Sequence, residues 1–244
     1  MNPDQSPAAL LPAVELETGA APEYAIIWLH GLGADGHDFE PVVDALNLAG
    51  LPAIRFVFPH APMRAVTING GYVMRAWYDI VSSDFSQRRE DPQGVRESAR
   101  QVEALIAREN LRGIGDDKII LAGFSQGGAI ALHTGLRHPR TLAGILALST
   151  YLPLADSLEG EEHELARQVP IFMAHGHDDT VIPYEFGRQS CEFLRKRGLK
   201  LDWHAYAAGH TVCASELLDI ETWLRTLLAP VATEGHQKDS ASGS

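Results

Sequence analysis

Short runs of aliphatic, β-branched and aromatic residues alternate along this chain with longer segments in which apolar residues recur every three or four positions. The runs Ala25 to Leu29, Ile54 to Phe58, Lys118 to Ala122, Leu142 to Leu148, Ile171 to Ala174 and Lys200 to Tyr206 predict strands. Most are near-continuous apolar stretches, as expected of strands covered on both faces. The helical period predicts helices over Glu40 to Leu48, Pro92 to Glu109, Gln126 to Arg137, Tyr184 to Arg197 and Ala214 to Leu228. In the second of these, Asp91 can cap, Pro92 suits the first turn, and Val95, Ala99, Val102 and Ile106 fall on one face. Strands alternating with helices predict an α/β protein: a mostly parallel central sheet with helices on both faces.

The rhythm fails in three places. Residues 1–22 are rich in proline and alanine and predict an irregular N-terminal segment, and residues 231–244 predict a disordered C-terminal tail. Between them, 23–230 read as one domain. Inside that domain, 59–91 are too long for a plain connection. The prolines, the Gly70-Gly71 pair and the Trp77-Tyr78 cluster predict a binding loop or lid.

Composition narrows the function classes. With 244 residues, 45% of them hydrophobic, the chain can bury one sizeable core without metal or disulfide staples. A formal net charge of −12 argues against nucleic-acid partners. Two cysteines, Cys191 and Cys213, make neither a disulfide framework nor a zinc motif. The first basic residue is Arg55, so the charged start of a secretory signal is missing, and no apolar run approaches the roughly 18 residues that span a bilayer. A cytoplasmic location is the expectation.

The chemistry centres on one turn. The strand ending at Ala122 runs into Gly123-Phe124-Ser125-Gln126-Gly127, followed by a helical pattern. A G-x-S-x-G sequence is common by chance, but between a strand and a helix it reads as a nucleophile elbow. A serine hydroxyl needs a base, usually a histidine, which needs a carboxylate to orient it. Two later strands open into suitable loops: His175-Gly176-His177-Asp178-Asp179 after one and Gly209-His210 after the other. The order serine, aspartate, histidine is that of α/β-hydrolases. His210 is the preferred base by its place after the last strand, whereas Asp178 and Asp179 are not separable on these grounds. The oxyanion formed from an attacked carbonyl needs backbone N–H donors. Gln126 should supply one, and the glycine-rich loop His30-Gly31-Leu32-Gly33 the other.

Taken together, His30-Gly31-Leu32-Gly33, Pro59-His60-Ala61-Pro62, Ala76-Trp77-Tyr78-Asp79-Ile80, Gly123-Phe124-Ser125-Gln126-Gly127-Gly128 and Gly209-His210 resemble the carboxylesterase, lysophospholipase and acyl-protein thioesterase family of α/β-hydrolases, of the bacterial carboxylesterase type. The likeness spans Ala25 to Leu228. It implies Ser125 as nucleophile, His210 as general base and acid, and Asp179 as the orienting acid. It further implies backbone oxyanion donors at Leu32 and Gln126, and a shallow acyl groove lined by Met74, Trp77, Val181 and Ile182. No cofactor is implied. The chain departs from the pattern at Ser149-Thr150-Tyr151-Leu152-Pro153, where many relatives carry Ser-Cys-Trp-Leu-Pro, and it lacks the N-terminal cysteine that some eukaryotic relatives lipidate.

The expected partner is therefore a small-molecule acyl ester or thioester, with lysophospholipids included. No stable membrane anchoring is expected, and homodimer formation is left open. Two rival readings stand beside the esterase. One is a metal-dependent hydrolase built on His175, His177 and Asp179, which begins like H-x-H-x-D-H but has Thr180 in the sixth position. The other is a non-catalytic binding protein on a hydrolase scaffold.

Overall fold

The computed structural model describes residues 10–82 and 90–229. Nine strands run in chain order as β1 (Ala13–Glu17), β2 (Tyr24–Leu29), β3 (Ile54–Pro59), β4 (Met63–Val66), β5 (Tyr72–Arg75), β6 (Ile119–Phe124), β7 (Gly144–Leu148), β8 (Ile171–Gly176) and β9 (Leu201–Tyr206). The helices are α1 (Pro41–Ala45), α2 (Pro92–Leu111), α3 (Gln126–Gly135), α4 (Leu158–Glu161), α5 (Tyr184–Lys196) and α6 (Ala214–Leu228). Seven strands form one sheet in the order β1-β3-β2-β6-β7-β8-β9; only β1 runs antiparallel to its neighbour.

Alternation along the central strands builds two cores. Ile27, Leu29 and Leu121 join Val102, Leu105, Ile130 and Leu194 of α2, α3 and α5 on one face. Ile26, Trp28 and Ile120 meet Val42 of α1 and Ile220, Trp223 and Leu224 of α6 on the other. A strand flanked by helices on both sides has no solvent face, which is why these runs are apolar throughout. No helix among the described residues is long and apolar enough to cross a membrane.

Two expectations need correction, and a third gains detail. The segment 1–22 is not irregular throughout: Ala13–Glu17 pair antiparallel with β3, from Ala13 opposite Pro59 to Glu17 opposite Arg55. Its outward carboxylates are used, Glu17 bonding Arg55 at 2.8 Å and Glu15 pairing with Arg108 and Arg112. The helix expected over Glu40 to Leu48 closes at Ala45, preceded by a 3₁₀ turn at Gly36–Phe39. Arg225 of α6 takes the backbone carbonyls of Asn47 and Ala49, so those oxygens bond a side chain instead of a helical turn. Finally, 59–91 carries an antiparallel hairpin, β4 against β5, whose turn places Gly70 and Gly71 at positive φ. Residues 83–89 of that insertion, and the tail expected at 231–244, lie outside the described residues.

One buried acid stands apart. Glu216, in the first turn of α6, is 1% exposed, and its Oε2 accepts from the Cys213 amide while Oε1 has no partner among the described residues. Burial pushes its pKa from 4.5 up to about 7, against the downward pull of the Cys213 amide. A folded-state pKa raised in this way gives stability that is complete below pH 4.5 and lost as pH rises through 7, by up to about 3 kcal/mol. Glu216→Gln keeps the capping geometry without the titration. Urea midpoints measured at pH 5 and pH 8 should fall for the native protein more than for the variant. Equal falls would show that Glu216 ionises normally.

Candidate active site

Ser125, Asp179 and His210 follow the carboxyl ends of β6, β8 and β9, which lie on one side of the sheet. The elbow is tight for a structural reason. Ser125 sits at φ 56 and ψ −122, and its amide donates to Leu148 O at 2.8 Å, tying the turn to β7. Gly127 passes so close to the first loop that a Cβ there would lie 2.2 Å from Leu29 O, and one on Gly123 would lie 2.4 Å from the Gly127 backbone. Only glycine lets strand, turn and helix crowd together in this way. The strained backbone turns the Ser125 side chain off the sheet edge.

His210 bridges the other two groups. Its Nδ1 lies 2.7 Å from Asp179 Oδ2 and its Nε2 lies 2.9 Å from Ser125 Oγ. A carboxylate can only accept, so Nδ1 carries the proton and Nε2 is left to accept from the serine hydroxyl. Asp179 is itself fully engaged: Oδ1 accepts from the amides of Val181 at 2.9 Å and Ile182 at 2.8 Å, and His175 Nε2 stands 3.3 Å from Oδ2. Burial works to raise its pKa, but the bonds from His175, His210 and the Ile182 amide outweigh it and hold the carboxyl well below the usual range. Asp178 is exposed and takes no part.

The first loop closes over the serine. The ring of His30 accepts from the Ala61 amide at Nε2, 3.0 Å, so its Nδ1 donates to Gly31 O at 2.7 Å. Fixing that carbonyl also fixes the Leu32 N–H, which belongs to the same planar peptide and points the opposite way. Neither the Leu32 nor the Gln126 amide has a backbone or side-chain partner among the described residues. The Gln126 side chain is anchored elsewhere, its Oε1 accepting from Trp77 N at 2.8 Å and its Nε2 donating to Tyr78 O at 2.7 Å.

Beside Ser125 opens a cavity of about 260 Å³ walled by Leu32, Ile68, Tyr78, Ile80, Val181 and Ile182, with the polar Asn69, Ser82 and Gln126 also lining it. Of the four expected groove residues, Val181 and Ile182 line it and two do not. Trp77 is fully buried, its indole N–H donating to His30 O at 2.8 Å, so it supports the loop from beneath. Met74 is half-buried and does not line the cavity, its Sδ accepting from Asn69 Nδ2 at 3.4 Å. Tyr78 and Ile80, one and three residues past Trp77, take the lining place instead. The unusual Thr150-Tyr151 pair acts on both parts of the site: Thr150 Oγ1 donates to Ser125 O at 2.7 Å, and the Tyr151 hydroxyl bonds the hydroxyl of Tyr78.

The fold separates the histidines that suggested a metal centre. His175 is buried with Nε2 against Ile182 O at 2.8 Å, whereas His177 is exposed beside the Tyr184 ring, 4.5 Å between centroids. Among the described residues no three His, Cys, Asp or Glu side chains are grouped to hold a metal ion.

Comparison with known proteins finds relatives over most of the chain. The family model described as phospholipase/carboxylesterase matches residues 12–228. Acyl-protein thioesterase 1 of Neurospora crassa is 38% identical over 242 residues, covering 95% of this chain and 96% of that protein. The crystal structure of SOBER1 of Arabidopsis thaliana, 34% identical, superposes with a TM-score of 0.80 over 84% of this chain and 99% of that one. Acyl-protein thioesterase 2 of Zea mays, 28% identical, gives 0.79 over 89% and 99%.

Proposed function

This chain belongs to the phospholipase/carboxylesterase family, and from that premise we propose that it hydrolyses carboxylic esters and acyl thioesters through a Ser125-His210-Asp179 triad. The observation that carries the reading is the His210 ring, held by Asp179 on one nitrogen and facing Ser125 Oγ with the other, at the mouth of an apolar cavity. The mechanism follows from that geometry. Ser125 Oγ attacks the acyl carbon as its proton passes to His210 Nε2, and the oxyanion is met by the amides of Leu32 and Gln126. Collapse breaks the bond to the alcohol or thiol, which leaves with the proton from His210. Water then enters, gives a proton to His210 and attacks the acyl-enzyme, releasing the acid and restoring Ser125.

Cavity size sets the substrate class. A pocket walled by Ile68, Ile80, Val181 and Ile182 gains apolar contact with each added methylene until it is full. Short to medium acyl chains fit this volume, and the acyl chain of a lysophospholipid would enter the same way. Pure protein assayed against ethyl esters and the matching thioesters of graded chain length should show kcat/KM rising by up to about fourfold per methylene and then levelling. Hydrolysis independent of chain length would mean that the cavity does not receive the acyl group.

A further inference from the structure

We propose that the side of His210 away from the acyl cavity is a leaving-group subsite, and that it favours esters whose alcohol carries an ammonium group. The inference rests on the triad reading. A general acid can protonate the leaving oxygen only if that oxygen lies at its Nε2, so the alcohol has to emerge along the His210 face of the site. The structure has a place for it. His210 lines a second depression of about 350 Å³, bounded by Asp38, Phe39, Phe124, Thr211 and Val212. Ser125 lines the first cavity and His210 the second, so the 2.9 Å hydrogen bond between them links a lining residue of each.

The walls of the depression specify its occupant. Phe124 lies 4.7 Å from the His210 ring and 5.7 Å from Phe39, centroid to centroid, and Phe39 stacks on Trp28 at 5.3 Å. These rings are held in place by one another and offer π surface to a cation. Asp38 is exposed and, among the described residues, is the only lysine, arginine, aspartate or glutamate lining either cavity. The neighbouring acids are occupied locally: Asp35 accepts from the His37 amide at 2.8 Å, and Glu40 bonds the His37 ring. A net charge of −12 adds a long-range field that draws cations and repels anionic alcohols.

The test compares butyrylcholine with 3,3-dimethylbutyl butyrate, which share the acyl group and differ by carbon for the quaternary nitrogen. Phenyl butyrate serves as an activated reference. The ratio of kcat/KM for the charged over the neutral alkyl ester should be about three to ten, the scale of one hydrated carboxylate with one exposed cation–π contact. It should fall towards one in Asp38→Asn, drop below one in Asp38→Lys, and shrink with added salt in the native protein. A native ratio of one, or a ratio unmoved by Asp38→Asn, overturns the subsite. So does cleavage of the phenyl ester with neither alkyl ester accepted. Failure to cleave any of the three overturns the triad reading and this inference with it.

Discussion

Ser125→Ala is expected to lower ester turnover by a factor on the order of 10⁴ to 10⁶, the scale of removing a serine nucleophile whose partners remain. The fold should survive. Ser125 Oγ bonds only His210 among the described residues, and the unusual backbone of the elbow is held by Ser125 N to Leu148 O and by Thr150 Oγ1 to Ser125 O, neither of which needs the hydroxyl. Alanine keeps the same Cβ, so it adds no strain at φ 56. A fluorophosphonate should add one adduct to the native protein by intact mass and none to the variant. Undiminished turnover by a folded Ser125→Ala protein would remove the basis of the mechanism.

Much of the fold is legible before any coordinates, for a physical reason. β2, β6, β7 and β8 are covered by helices on both faces, so every residue is under the same pressure to be apolar and the runs stand out. β1 escapes that pressure because it is an edge strand: Val14 and Leu16 alternate with Glu15 and Glu17, a period-two signal in only five residues beside a proline-rich start. The hairpin in the long insertion is hidden differently. Its outward residues Met63, Tyr72 and Val73 are exposed, so neither strand shows an inside and an outside in composition.

The site divides along similar lines. An elbow that needs Gly123 and Gly127 to avoid backbone collisions leaves a pattern at fixed spacing, and Ser125 can be read from it. A wall residue leaves none. Trp77 and Tyr78 are adjacent aromatics in one loop, and what separates them is a tertiary fact: the indole N–H finds a buried acceptor in His30 O, which takes Trp77 into the core and leaves Tyr78 at the cavity. A buried tryptophan N–H usually needs such a partner, but nothing local to the sequence says where it is.

The same limit governs Asp178 and Asp179, and there the contrast in expected effect is large. Both follow β8 and both could face His210 by sequence alone. The turn decides, because Asp179 Oδ1 caps the amides of Val181 and Ile182 while Oδ2 meets His210 Nδ1 at 2.7 Å. In Asp179→Asn the oxygen can keep the two loop amides, which puts the NH₂ against Nδ1. That nitrogen must then accept, the proton moves to Nε2, and the ring presents a donor to Ser125 where it should present a base. Turnover should fall on the order of 10⁴-fold with little loss of fold. Asp178→Asn removes an exposed charge whose backbone amide still bonds Ala208 O at 3.0 Å, so its activity should stay within about twofold of native. Measured side by side on one ester, the two single variants give opposite answers. A greater loss from Asp178→Asn would mean that the carboxylate seen against His210 is not the one that orients it during turnover.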